Sequence, residues 1–438
     1  MKKLVFLSLL LLPFITMAQV RPKYLIKTGK LFDSQTGTFK SGLDVLVDGN
    51  RIEAVKADKD VTEKERSDHK LIDLSKYTIL PGLIDAHTHL LFREELHPGM
   101  DFSTLSLEKV LTQQGDAYRA IYGSVRAKAY LEAGITSVQD LGNSGKFADI
   151  ALQKAIEDGL VVGPRMSCAG QGLSSEGGQL PGLIYPHRGI ANDEYRIITG
   201  VSDAIQAVRE NITQGANVIK IYSNNTPNRT ALSVEEMQAI VKEAHRYHIR
   251  VTAHATDNQA VYNAVIAGVD GIEHGYEVAD STLILMAKKK VILVPTDGDS
   301  TIFANYARIA YPDDPEAGPG IKKMLQAQAL RLQRALKYGV TIAAGSDDYI
   351  DVQMPYAAFS KHTLIGYHEA GVSIPKVLQF ATINAAVQLN MSNKIGQLKS
   401  GFLADLIAVP NNIDVDIQAI MNVKFVMKDG VVYKDDPH

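Results

Sequence analysis

The run "LPGLIDAHTHL", residues 80–90, ends on two histidines one residue apart. Alternation along a strand would turn His87 and His89 to the same side, where the strand gives way to a loop. Two imidazoles so placed suit a metal ion, but the chain holds 12 histidines and a His-x-His pair alone is a weak signal. Four more residues of ligand or acid–base type stand in similar settings: Lys220 in "NVIKIY", His254 in "RVTAHA", His274 in "GIEHG" and Asp347 in "TIAAGSD". Singly, His254 and His274 read as hydrogen-bonded core histidines, and Asp347 as the cap of a following helix. Lys220 is harder to explain that way. Flanked by Val218, Ile219 and Ile221, it points inward, where a bare ammonium is costly and needs a partner.

The elements that carry these residues follow a regular order. Apolar runs at "LIDAHTHL", "ITSVQDLG", "RMSCAG", "NVIKIY", "RVTAHA", "GIEHG", "VILVPT" and "TIAAGSD" alternate with helical patterns. One such pattern is "SVEEMQAIVKEAHRYH", where Ser233 and Glu236 form a capping box and Met237, Ile240, Val241 and Ala244 keep helical spacing. Eight strands alternating with helices over roughly 300 residues predict an α/β fold, a (β/α)8 TIM barrel. A doubly wound open sheet is the alternative, but no Gly-rich dinucleotide fingerprint follows the first strand. Barrel chemistry gathers at the C-terminal ends of the strands. There the first strand offers His87 and His89, the fourth Lys220, the fifth His254, the sixth His274 and the eighth Asp347. Bland explanations of all six would have to coincide at one rim. The glycine-rich stretch from Gly170 to Gly200, after the third strand, is expected over the barrel mouth.

Both chain ends read as short strands with tight turns, "KYLIKTGKLFD", "GLDVLVDGN" and "RIEAVKAD" at one end, "GFLADLIAVP", "VKFVMKDG" and "VVYKD" at the other. They predict a small β-sandwich domain built from residues 19–78 and 395–438, with the barrel, 79–394, inserted between them. The stretch "MKKLVFLSLLLLPFITMA" places Lys2 and Lys3 before an apolar run that Pro13 interrupts, followed by Thr16 and Ala18. It predicts a signal peptide over residues 1–18 and an exported, periplasmic or secreted, protein; the run is short for a membrane anchor. With 46 basic and 49 acidic residues the chain is nearly balanced, which argues against nucleic acid or an anionic membrane as partner. Cys168 is the only cysteine, so no internal disulfide exists and the core must hold the fold. The oligomeric state stays open, a homo-oligomer included.

Neutral imidazole and carboxylate are good ligands for zinc and similar divalent ions. Two adjacent ions need a bridging anion, and a lysine amine that has reacted with carbon dioxide supplies one as a carbamate, which also removes the buried positive charge.

The motifs "GLIDAHTH", "VIKIY", "VTAHA", "GIEHG" and "AAGSDD", in this order, resemble the amidohydrolase superfamily, most of all its imidazolonepropionase-like and Xaa-Pro dipeptidase-like members. The C-terminal "IGQLKSGFLADLIAV" is similar to that family's small β-domain. The resemblance implies that His87, His89 and Asp347 hold the more buried ion and His254 and His274 the more exposed one, with carbamylated Lys220 bridging them. A hydroxide between the ions would attack the substrate, since bound metal brings the pKa of water to about 7. Asp347 would take its proton and pass it to the leaving amine.

Two departures bear on specificity: "EGGQL" puts Gln179 where related dipeptidases carry a histidine, and "YSNN" follows the lysine strand where they carry glycines. Single-metal deaminases and imidazolonepropionases place an acid three residues after the fifth-strand histidine, as Asp257 is here, but a lysine on the fourth strand argues for two metals. The expected activity is hydrolysis of a linear amide, in a dipeptide or N-acyl amino acid. Cyclic amide hydrolysis, imidazolonepropionase- or hydantoinase-like, is the alternative, and a scaffold without metals is a third reading that no ligand substitution supports. For a substrate carboxylate, Arg188 in "YPHRG" is the expected clamp. Tyr222, on the face of Lys220, is an expected hydroxyl donor.

Overall fold

The computed structural model describes residues 22–100, 107–180, 182–226 and 228–436. The predicted signal peptide, residues 1–18, lies outside the described residues. Strands from both chain ends share one eight-stranded sheet. Its seam is the long strand Lys70–Pro81. The first part of that strand runs parallel to Lys23–Asp33, with Tyr24 opposite Lys70, while its last part runs antiparallel to Leu406–Pro410, with Leu406 opposite Pro81. Ile26, Val45, Ile79, Leu406, Phe425 and Met427 from the two ends pack into one apolar cluster. The hairpin joining Phe425–Lys428 to Val431–Asp435 turns on Asp429 and Gly430, both at positive φ, as a right-twisted two-residue turn requires.

Gly82 leads straight from this sheet into the barrel. Seven barrel strands follow in order, Leu83–Thr88, Ile135–Asp140, Arg165–Cys168, Val218–Tyr222, Arg250–Asp257, Gly271–Glu277 and Ile292–Val294. Residues 341–347 complete the ring, because the Ala343 N–H donates to Leu293 O (3.0 Å) and the Ala86 N–H to Ala344 O (2.8 Å). The alternating β and α pattern thus closes into the predicted (β/α)8 barrel. Ser233 caps the helix Val234–Arg246 through a reciprocal capping box with Glu236, as its sequence predicts. At the opposite end from the site, Arg165 of the third strand pairs with Asp405 and Asp429, tying barrel to sheet.

Two departures from a minimal barrel shape its mouth. The segment between the third and fourth strands forms short strands at Gly172–Ser174 and Tyr195–Ile197 and a 3-10 helix at Tyr185–Asp193. Glu194 in this segment is fully buried and paired with Arg119 at 2.8 Å, which fixes the segment to the helix Asp116–Glu132. After the seventh strand, two helices replace the usual one, Ser300–Ala310 and Ala317–Lys337. Among the described residues, no helix is long and apolar enough to cross a membrane.

Candidate metal centre

His87, His89 and Asp347 converge at the mouth. Their ligand atoms all lie within 4.8 Å of one another: His89 Nε2 is 3.2 Å from His87 Nε2 and 3.0 Å from Asp347 Oδ1. The first and eighth strands bring them together, and the Asp347 N–H donates to His87 O at 2.8 Å. His254 and His274 stand on the other side of the cluster, their ring centroids 4.6 Å apart, and His274 is 5.2 Å from His87 on the same measure. Lys220 lies between, 1% exposed. Among the described residues its ammonium has no hydrogen bond and no carboxylate within 4 Å; it stands 5.6 Å from the centre of the Tyr222 ring.

Three of the four imidazoles are oriented by a hydrogen-bonding partner at Nδ1. His87 Nδ1 lies 2.7 Å from Glu273 Oε2, His89 Nδ1 donates to Gly142 O at 2.7 Å, and His274 Nδ1 lies 2.8 Å from Thr296 Oγ1. For His87 and His89 the Nε2 atoms are thereby left to face the common space, the geometry a metal-binding histidine needs. Burial lowers the pKa of His87, His254 and His274, with Lys220 or a neighbouring imidazole adding to it, so these rings are neutral. Burial opposes the charge on Asp347, but His87, His89 and Lys220 outweigh it and hold the carboxyl below its usual range. Burial also opposes the His89 cation, and the Asp347 carboxylate reverses that effect and raises its pKa. Burial lowers the pKa of Lys220 against the pull of Glu273 and Asp347. Three neutral imidazoles, His89 beside an ionised carboxylate, and a buried lysine with no carboxylate within 4 Å among the described residues form a donor set that fits divalent metal.

Backbone strain marks the same rim. His274, Thr296 and Asp347 all have positive φ, at 74°, 55° and 57°, a conformation that non-glycine residues adopt at some energetic cost and that concentrates at functional sites. At His274 it lets two successive residues, Glu273 and His274, both face inward, where a regular strand would separate them.

Residues 78–433 match the family described as the amidohydrolase family. The chain belongs to it. An ochratoxinase from Aspergillus niger is 28% identical over 386 residues, covering 81% of this chain and 75% of its own. An imidazolonepropionase from Clostridium tetani is 22% identical over 427 residues, covering 89% and 90%. Among solved structures, a Xaa-Pro dipeptidase with methionine bound in its active site superposes with a TM-score of 0.77 at 30% identity, over 94% of this chain and all of that one.

This amidohydrolase has a cavity of about 530 Å³ over the cluster, lined by His87, His89, Lys220, His254, His274 and Asp347 together. Gln179 also lines it, and its Nε2 lies 3.2 Å from His254 Nε2. Tyr222 is buried in the wall, edge-on to Tyr195 and tilted against His254. Arg188, in contrast, is not brought to the cavity. Its guanidinium stacks over the Tyr185 ring at 3.9 Å and donates to Tyr185 O, half-exposed on the 3-10 helix. Asp257 is equally remote: its carboxylate accepts from the Ala260 N–H as a helix cap and from Asn224 Nδ2. The "YSNN" asparagines also turn away, Asn224 to Thr256 and Asp257, and Asn225 to Ser174, Ser175 and Thr230 O.

Three supporting residues were not singled out from the sequence. Glu273 is fully buried and accepts from Thr252 Oγ1 while meeting His87; burial pushes its pKa up to about 7. Arg126 donates to His89 O (2.6 Å), Phe92 O (2.7 Å) and Asp348 O (2.6 Å), stapling the loops that carry the first- and eighth-strand residues. Arg331 donates to His274 O (3.0 Å) and pairs with buried Asp297, which anchors the strained ends of the sixth and seventh strands.

Proposed function

We propose that this amidohydrolase cleaves a linear amide, in a dipeptide or N-acyl amino acid, with two divalent ions, zinc by the character of the donors. The observation that carries the proposal is Lys220, buried with His87, His89 and Asp347 on one side and His254 and His274 on the other, and with no carboxylate within 4 Å among the described residues. Its lowered pKa favours the free amine, which forms an N–C bond to carbon dioxide, releases a proton and leaves a carbamate anion where an ammonium stood. His87, His89 and Asp347 would hold one ion, His254 and His274 the other, and the Lys220 carbamate would join them. When bound, the metals would acidify a water and polarise the scissile carbonyl. Asp347, held ionised, would accept the proton of the attacking water and return it to the leaving amine. Gln179 beside His254 and the Tyr222 hydroxyl present polar groups to the substrate, and the aromatic walls around them limit water.

Cyclic amide hydrolysis with one metal is less favoured, because Asp257, the acid that reading needs, is engaged as a helix cap. The apolar run of residues 1–18 supports an exported enzyme acting on small scavenged substrates. A screen of zinc-loaded protein against dipeptides, N-acyl amino acids, hydantoins and imidazolones tests the assignment. Turnover is expected for linear amides; turnover confined to cyclic substrates would overturn it.

A further inference from the structure

We propose that the amide cleaved here joins two bulky apolar groups, one seated in each of two aromatic compartments on either side of the ligand cluster; this rests on the linear-amide reading above. A cavity of about 530 Å³ exceeds what a small dipeptide fills and falls in the range of roughly 300–1,000 Å³ typical of sites for drug-sized ligands. Parts of its wall belong to two separate apolar clusters. Phe92, Tyr195 and Tyr222 pack together beside His254 and Gln179, under the loop that follows the third strand. Tyr306, Ile350 and Val352, with Phe359 against them, form the other, next to the two helices after the seventh strand, where Phe303 and Met324 also face the cavity.

Among the described residues, Tyr349 is the one that packs against both clusters. Its ring stacks on Phe92 at 5.7 Å and stands perpendicular to His89 at 5.8 Å, so the compartments part at the ligand cluster, where the scissile bond must lie. Neither compartment holds a spare charge. Among the described lining residues the only lysine or arginine side chains are Lys220, within the ligand set, and Arg331, which is paired with Asp297 and bonded to His274 O. A carboxylate or ammonium driven into either compartment would lose its water and find only neutral polar groups, Gln179 and the tyrosine hydroxyls on one side and Gln328 on the other. The charged end of the substrate therefore stays at the mouth, and the apolar groups go in.

The test uses the zinc-loaded enzyme and two substrate series, N-acyl phenylalanines from acetyl through hexanoyl to benzoyl, and N-benzoyl amino acids from glycine through leucine to phenylalanine. Along each aliphatic part kcat/KM is expected to rise about fourfold per added methylene, which corresponds to about 0.8 kcal/mol. Phe303→Ala is expected to flatten one series and Tyr195→Ala the other. Flat profiles along either series with the unmodified enzyme, or both substitutions flattening the same series, would overturn the two-compartment proposal while leaving linear-amide hydrolysis in place. Failure to cleave any member would instead overturn the linear-amide reading on which the proposal depends.

Discussion

Replacing Arg331 by methionine removes the cation that holds the sixth- and seventh-strand ends, and the structure sets the size of the effect. Arg331 is 2% exposed and Asp297 3%, so the substitution leaves a carboxylate in the protein interior with no counter-ion, together with the His274 carbonyl that the guanidinium satisfied. Breaking a buried pair in this way typically destabilises by about 3–5 kcal/mol. Burial already raises the Asp297 pKa, and Arg331 opposes that rise. Without Arg331 the folded-state pKa climbs further above the ordinary value of 3.8. A carboxyl whose folded pKa exceeds its unfolded one destabilises the fold increasingly as pH rises from the unfolded value towards the folded one. The penalty is therefore small near pH 4 and grows towards pH 7, and between pH 7 and pH 5 the variant should recover up to about 2.8 kcal/mol at about 1.4 kcal/mol per unit. Chemical denaturation of Arg331→Met at both pH values reads this directly, and Arg331→Met/Asp297→Asn should regain most of the loss at pH 7. A loss below about 1 kcal/mol, or one equal at both pH values, would refute the role assigned to this pair.

Glu273→Gln keeps the shape behind His87 but weakens the acceptor of its Nδ1, and zinc affinity measured against a competing chelator should fall about 10–100-fold; an unchanged affinity would mean the contact does not orient the ring. Arg188→Met should leave kcat/KM on free-carboxylate substrates within about twofold, since the side chain stacks on Tyr185 away from the cavity; a loss of the size of a charged hydrogen bond, about 1.5–3 kcal/mol, would restore it as a clamp. Asp257→Asn preserves a good N-cap and should retain metal content and turnover; a collapse of activity with normal folding would revive the single-metal reading.

The residues at the strand ends were legible because alternation and the barrel rule both act locally on sequence: His87, His89, Lys220, His254, His274 and Asp347 all line one cavity. Pairing of the two chain ends in one sheet was legible for a related reason, since short strands with tight turns at both ends leave each other as partners. Glu273 was hidden by strand periodicity, because only the positive φ at His274 lets both neighbours face inward. Arg126 and Arg331 reach the rim from helices with long side chains, and no spacing rule announces such a reach. The placement of Arg188 failed for the opposite reason. A loop over the mouth was correctly foreseen, but the direction of one side chain depends on local partners, here Tyr185 and Glu176, that sequence spacing does not rank.

Metal content of the purified protein, grown with bicarbonate, bears most directly on the account, with Lys220→Ala measured beside it. A buried lysine with no carboxylate within 4 Å among the described residues, set beside His87, His89, Asp347, His254 and His274, is expected to bridge two ions as its carbamate. The unmodified protein should carry two divalent ions per chain and a Lys220 side chain heavier by one carbon dioxide, while Lys220→Ala should lose at least one ion and most turnover. Two ions and near-normal turnover in Lys220→Ala would contradict the account at its centre.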